Sequence, residues 1–373
     1  MREFIDGAEV VARAAISAGC NFFSGYPITP ATTILLHMLK ELPKVGGTAI
    51  QAEDEISAMG FCIGAALSGA RVLTATSGPG ISLYSESIGA AIMCEVPMVI
   101  VDCQRMGPAT GGATTVAQGD VQFLRWETSG GYPVIVLAPS SLAECYSLTQ
   151  RAFELAERFR TPVFLALDKD LVLTSSTVNT IDISEQIMPI RSSASQQEKY
   201  VPFSIKHPED VPLFSPYGGP NIVRMTASSH NQAGYLVKDP SVIKQLNDHL
   251  EAKINQHIDD ISMVKADLQS GSQILLISYG TPSQSMLEAV RDARSRGILV
   301  SSLIIQSLWP VPEKLILSSL EGIRQVYVVE LNYGQYRQEI ERLTKQNQQV
   351  FGINRVDGEL ITPTEILDKA GLR

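Results

Sequence analysis

Four segments of this chain, residues 71–76, 98–103, 134–138 and 162–167, are apolar along nearly their whole length and rich in β-branched side chains. Helical periodicity at 81–94 and 140–158 separates some of them. A strand with one wet face would alternate polar and apolar residues. Segments apolar on both faces must be covered on both faces, which points to an open parallel sheet wrapped by helices. The same reading places strands at 21–24 and 48–52, and helices at 6–18, 31–42 and 54–68. In such a sheet, ligands bind outside the carboxyl ends of the strands.

Those ends carry four loop-like stretches: Gly25-Tyr26-Pro27-Ile28-Thr29-Pro30, the acids Glu53, Asp54 and Glu55, Ser77-Gly78-Pro79-Gly80, and Gln104-Arg105 through Gly112. All four are expected on one edge, around one pocket. The helix opening at the acids is small and apolar. It carries Gly60, Gly64 and Gly69, each costing roughly 1 kcal/mol against Ala, so it is built to be buried with something packed close to its backbone. Acids in a first turn complement the helix dipole; here one of them is aimed at a buried end.

After Leu173 the pattern lapses. Residues 174–236 are rich in Ser, Pro, Gly and Gln, and so long an irregular run inside a compact domain is expected to wrap a neighbour, burying Phe203, Phe214, Tyr217 and Tyr235. A polar helix over 241–268 then leads to a second αβ unit, with strands at 273–279, 299–304 and 325–330 and helices at 282–296, 312–320 and 335–345. The division expected is therefore 1–235, a linking helix within 236–270, and a smaller α/β domain over 271–373, two domains being natural for 373 residues.

Net charge is −9, with no block of Lys or Arg to track a phosphate backbone, which argues against nucleic acid. The acidic N-terminus is unlike a signal peptide and no window approaches the ~18 apolar residues of a membrane span, so a cytoplasmic protein is expected. Cys20, Cys62, Cys94, Cys103 and Cys145 are scattered with no C-x-x-C pair, the pattern of buried free thiols rather than of a disulfide framework, a zinc site or an iron–sulfur cluster. No nucleophile-elbow, zinc-protease or phosphate-loop motif is present. Residues alone therefore describe a pocket with a carboxylate, a threonine and an arginine, suited to a small anionic or ring-containing ligand.

At these same positions the sequence resembles a family. Tyr26-Pro-Ile-Thr-Pro30, the Glu53-Asp-Glu55 helix start, Ser77-Gly-Pro-Gly80, Arg105 with Gly107-Pro-Ala-Thr-Gly111, and Gln118-Gly-Asp120 are similar to the alpha subunit of 2-oxoacid:ferredoxin oxidoreductases. The similarity continues through Ser229-His230, Gly234, Leu308-Trp-Pro-Val-Pro312 and Glu330-Leu-Asn-Tyr-Gly-Gln335. Within the family, the unbroken run 116–123 and Leu137-Ala-Pro-Ser-Ser141 look most like the 2-oxoglutarate members; pyruvate or branched-chain members are the second reading. From a different class, a non-catalytic α/β scaffold subunit is the alternative.

The resemblance implies a thiamine-diphosphate pyrimidine-binding domain followed by a smaller transketolase-C-terminal-like domain. It implies a beta subunit that holds the diphosphate, Mg2+ and an iron–sulfur cluster, leaves room for gamma and delta subunits, and brings in ferredoxin, coenzyme A and a 2-oxoacid. Thiamine reacts as a carbanion at its thiazolium carbon, and a carboxylate hydrogen-bonded to the far pyrimidine nitrogen promotes the tautomer that removes the proton. Along the family pattern that acid is Glu55, with Glu53 in reserve; residue by residue, all three acids could equally serve the helix dipole. Thr29 reads locally as an N-cap ahead of a first-turn proline, and by resemblance as a substrate ligand. Arg105 reads locally as a surface arginine or, at an apolar strand end, as a guanidinium for a carboxylate; the resemblance favours the substrate carboxylate. Cofactor contacts are implied for Tyr26, Pro27, Ile28, Glu55, Ser77, Gly78 and Pro79. His230 is left between an interface hydrogen bond and a substrate-end ligand.

Overall fold

Parallel pairing dominates both large sheets of the computed structural model, which describes residues 2–179, 191–195 and 199–373. The first part of the chain runs β1 (Arg2–Asp6), α1 (Gly7–Ser17), β2 (Phe22–Gly25), α2 (Thr32–Glu41), β3 (Thr48–Gln51), α3 (Glu55–Leu67), β4 (Val72–Thr76), α4 (Gly78–Met93) and β5 (Met98–Gln104). It continues with α5 (Val121–Arg125), β6 (Ile135–Leu137), α6 (Leu142–Phe159), β7 (Pro162–Asp168), α7 (Lys169–Leu173) and β8 (Ser175–Asn179). The second part runs α8 (Pro240–Asn255), α9 (Ile258–Ile261), β9 (Val264–Asp267), β10 (Ile274–Ser278), α10 (Pro282–Ser295), β11 (Ser301–Ile305) and β12 (Ser307–Trp309). It ends with α11 (Glu313–Ser319), β13 (Gln325–Glu330), α12 (Arg337–Leu343), β14 (Gln349–Asn354) and α13 (Pro363–Lys369).

The seven-stranded sheet has the order β12-β6-β7-β5-β4-β2-β3 and the five-stranded one β14-β13-β10-β11-β9. Only β12 and β9 run antiparallel to their neighbours in them. Strands β4, β5 and β7 are buried along every residue, as their unbroken apolar sequences require. One face packs on α1, α2 and α6 through Val11, Ile34, Leu35 and Phe153; the other packs on α3 and α4 and continues into the second sheet through Tyr279, Leu303 and Trp309. That shared core joins the two domains.

The sequence misjudged two stretches. The polar helix expected over 241–268 ends at Asn255, and the chain then forms β9, an edge strand of the second sheet. The wrapping segment anchors on buried Phe203 and Phe214, but Tyr217 and Tyr235 stay exposed. Its hold is largely polar. Arg160 donates to the carbonyls of Pro202, Pro212 and Leu213 at 3.1–3.3 Å, and Arg191 bridges Glu157 and the carbonyls of Gly69 and Ala70. Part of the expected segment, 180–190 and 196–198, lies outside the described residues.

Candidate active site

Strands β5, β4, β2 and β3 are consecutive neighbours and mutually parallel, so the four loops at their carboxyl ends share one edge of the sheet. The three acids separate sharply there. Asp54 is exposed and is the N-cap of α3: its Oδ1 accepts from Ser57 N at 2.6 Å, while Ser57 Oγ accepts from Asp54 N at 3.2 Å. These bonds hold the Asp54 carboxyl below its ordinary value. Glu53 is exposed as well. Glu55, the first helical residue, is 6% exposed and faces the start of α4.

Gly80 makes that approach possible. A Cβ there would overlap Thr76 Oγ1 and lie 2.8 Å from Glu55 Oε1. Among the described residues no protein donor hydrogen-bonds the Glu55 carboxylate, and the neighbouring Thr76 Oγ1 and Ser77 Oγ are buried without partners. An acceptor carboxylate beside unspent hydroxyls fits a ring nitrogen and polar edge of a bound heterocycle.

Arg105, 5% exposed at the end of β5, gathers the other loops. Its Nη1 donates to Thr29 O at 2.5 Å and its Nη2 to Thr110 O at 3.3 Å, while Nε is buried and unpartnered. It is no surface arginine. Thr29 meets it through its backbone carbonyl and keeps an exposed side chain. The N-cap reading of Thr29 is overturned: α2 begins at Thr32 with Ala31 as its cap, and Pro30 precedes the helix. Of the other residues expected to touch a cofactor, Tyr26 is exposed, Pro27 and Ile28 are half-buried, Ser77 is buried, and Gly78 and Pro79 open α4.

Beside this edge a cleft of about 750 Å³ runs between the domains, lined by Gly78, Pro79, Gly107, Asp120, Asn332 and Tyr333 among others. Tyr333 is 82% exposed, held on a loop that Asn332 ties down through Nδ2 bonds to Gln118 O and Tyr279 Oη, both 2.8 Å. Gly78 and Pro79 are the predicted cofactor contacts that line this cleft; Glu55, Thr29 and Tyr26 lie outside it. His230 is buried far from the edge, between Met93 O and Asn231 O at 3.1 and 3.0 Å and stacked on Phe203. Met93 closes α4 at the end opposite Gly78, about 22 Å away for fifteen helical steps, so the substrate-end role falls.

Sequence reasoning missed the buried acids at the back of the edge, although an acid inside a strand as apolar as β5 is a signal. Asp102 is buried with both oxygens unpartnered, and Asp120 Oδ2 is likewise unpartnered. Among the described residues no three His, Cys, Asp or Glu side chains gather as a metal site. All five cysteines are buried and free.

The family model for the thiamine-diphosphate-binding region of pyruvate flavodoxin/ferredoxin oxidoreductases matches residues 13–247, and that for core domain II of pyruvate:ferredoxin oxidoreductase matches 272–366. The chain belongs to this oxidoreductase family. It is 41% identical over 367 residues to the 2-oxoglutarate synthase subunit KorA of Methanothermobacter thermautotrophicus, covering 98% of this chain and 97% of that one. To the ketoisovalerate oxidoreductase subunit VorB of the same organism it is 32% identical over 368 residues, covering 98% and 96%. The structure of a 2-oxoglutarate:ferredoxin oxidoreductase from Magnetococcus marinus, with 2-oxoglutarate, coenzyme A and succinyl-CoA bound, superimposes with a TM-score of 0.93 at 28% identity. All of this chain is covered in that match, but it spans only 65% of the Magnetococcus chain. The two-domain α/β architecture expected from the sequence is therefore that of a thiamine-dependent oxidoreductase subunit.

Proposed function

We propose that this chain is the pyrimidine-binding subunit of a 2-oxoglutarate:ferredoxin oxidoreductase that converts the 2-oxoacid, with coenzyme A, to an acyl-CoA and carbon dioxide, passing electrons to ferredoxin. The observation that carries the reading is Glu55, buried against Gly80 and relieved of the capping role by Asp54. Thiamine diphosphate, when bound, supplies the thiazolium carbon that adds to a keto carbon. Glu55 holds a proton at the far pyrimidine nitrogen by accepting its hydrogen bond, and so favours the tautomer that acts as base. Arg105, fixed through Nη1 and Nη2, keeps Nε and its remaining N–H groups for the substrate carboxylate. Tyr26, Pro27, Ile28, Ser77, Gly78 and Pro79 frame the ring, Thr29 borders the substrate, and 1–235 and 271–373 act as the two functional units.

Substrate choice follows the contrast within one organism, 41% identity to a 2-oxoglutarate subunit against 32% to a ketoisovalerate subunit over the same span. The diphosphate, Mg2+ and the iron–sulfur cluster fall to a beta subunit, with gamma or delta chains completing the enzyme. Buried free thiols suit a reducing compartment, which supports a cytoplasmic enzyme. Co-expression with the beta subunit, followed by 2-oxoacid-dependent reduction of a one-electron dye in the presence of coenzyme A, tests the reading. Turnover is expected with 2-oxoglutarate before pyruvate or branched-chain acids; a complex that turns over only the others removes the substrate assignment, and one with no thiamine-dependent turnover removes the function.

A further inference from the structure

Asp102 stands on β5 three residues before Arg105, fully buried, and neither of its oxygens meets a donor in hydrogen-bond geometry. The side chain of Asp120, in the loop leading to α5, faces it from across the pocket wall, with Oδ2 buried and unpartnered. Two ionised carboxylates in contact offer each other only lone pairs and repulsion. A single proton between them supplies the missing donor. Two more unspent groups converge on the same place: Arg105 Nε, 3.8 Å from where a Cβ on Gly78 would stand, and Ser77 Oγ.

We propose that Asp102 and Asp120 share one proton and act as a positioning pair for Arg105, anchoring the guanidinium with one negative charge instead of two. The inference rests on the reading of Arg105 as the ligand of the substrate carboxylate. With a single charge the pair orients Arg105 and leaves the site attractive to an anion; a second charge would cancel the guanidinium and repel the substrate. Every packed element contributes to the balance. Arg105 lies at the end of β5 and its positive charge favours ionised Asp120; α4 presents the Gly78 N–H to Asp102; Asp168 at the end of β7 and Glu127 after α5 add negative charge. Gln104 Oε1 fixes the loop by accepting from Asp120 N at 3.3 Å. Burial, then the charge of Asp120, raises Asp102 well above the carboxylate range, and burial raises Asp120 as well. The proton accordingly resides on Asp102, and the pair loses it only on the alkaline side.

The test is the KM for the 2-oxoacid measured on the assembled enzyme from about pH 6.5 to about 9.5, where the substrate carboxylates stay ionised. In the wild type KM should rise on the order of tenfold as the second charge forms. In Asp102→Asn the amide donates as the protonated acid does and has no proton to lose, so the KM profile should be flat. In Asp120→Asn the neighbour that retained the proton is gone, and the rise should move to lower pH. This second variant decides the matter if the first fails to fold. A flat wild-type profile, an Asp102→Asn profile that rises as the wild type does, or an unmoved rise in Asp120→Asn overturns the pair. Arg105→Lys should raise KM across the whole range; a wild-type KM there instead removes the carboxylate reading beneath the proposal, whatever the aspartate variants do.

Discussion

Glu55 and its neighbours show two uses of an acid in a helical first turn, and the structure separates them by position. Asp54 satisfies the helix end and Glu53 points to solvent, which leaves Glu55 with no structural hydrogen bond to make. Glu55→Gln should therefore fold yet slow exchange of the thiazolium proton in the assembled complex by at least ~100-fold, while Glu53→Gln exchanges at the wild-type rate. The opposite ranking would mean that the acids have been assigned in the wrong register. Gly80→Ala tests the same carboxylate from the other side. Helix propensity favours the alanine by roughly 1 kcal/mol, but its Cβ would overlap Thr76 Oγ1 and crowd Glu55 Oε1. Sterics should win at the site. Proton exchange is expected to slow at least ~10-fold without a large change in unfolding midpoint, and an unaltered exchange rate would show that Glu55 does not need the room Gly80 leaves.

Elements that bury both faces were legible because their pattern is their environment: β4, β5 and β7 lie where unbroken apolar runs put them. Elements whose pairing is decided elsewhere were not. β12 is three residues long and joins the first sheet only because β6 has a free edge, and β9 is a half-exposed edge strand read as part of a helix. Helix α4 begins at Gly78, inside what reads as a loop, since Gly and Pro hide a helical start. The ion cluster that anchors α8 also escaped notice, its members being far apart in sequence. Lys253 Nζ lies 2.6 Å from Glu95 Oε2 and His249 Nε2 3.2 Å from the same oxygen, all buried. Burial opposes ionisation of Glu95, but the charge of Lys253, with His249 and Arg160, holds it well below the carboxylate range. Glu95→Gln leaves the ammonium of Lys253 buried and unpaired, which should cost about 3–5 kcal/mol. A double variant with Lys253→Met should recover part of it. Denaturant unfolding of the complex measures both, and a single variant as stable as the wild type would show that the cluster contributes nothing net.

At the scale of the whole molecule, the site depends on how the second domain is docked, and that docking was legible only as motif. The Leu331–Gln335 stretch stood out by resemblance, yet nothing in its spacing said that Gln118 would bind it from the first domain, donating to Asp168 Oδ2 at 2.9 Å and to Tyr279 O at 3.2 Å while accepting from Leu331 N at 2.9 Å. Asp168 completes the joint by accepting from Thr281 N at 2.6 Å. Gly280, at φ +60°, brings that backbone in so closely that a Cβ would overlap the carboxylate. Burial pushes the Asp168 carboxyl up to about 7, against the opposing pull of its bonds to Thr281 and Gln118. The sign follows from linkage. An acid whose folded pKa is raised binds a proton more readily in the folded state, so its contribution is fully present below the unfolded value of 3.8 and is lost as pH rises through about 7. Thermal unfolding of the assembled enzyme should therefore show stability falling by roughly 2–4 kcal/mol from this group between about pH 4 and about pH 8. Asp168→Asn keeps one acceptor for Thr281 N and cannot ionise. Its stability should vary less over the same interval, by the amount Asp168 contributed. If the wild type and Asp168→Asn lose stability in parallel, the joint between the domains does not titrate through Asp168.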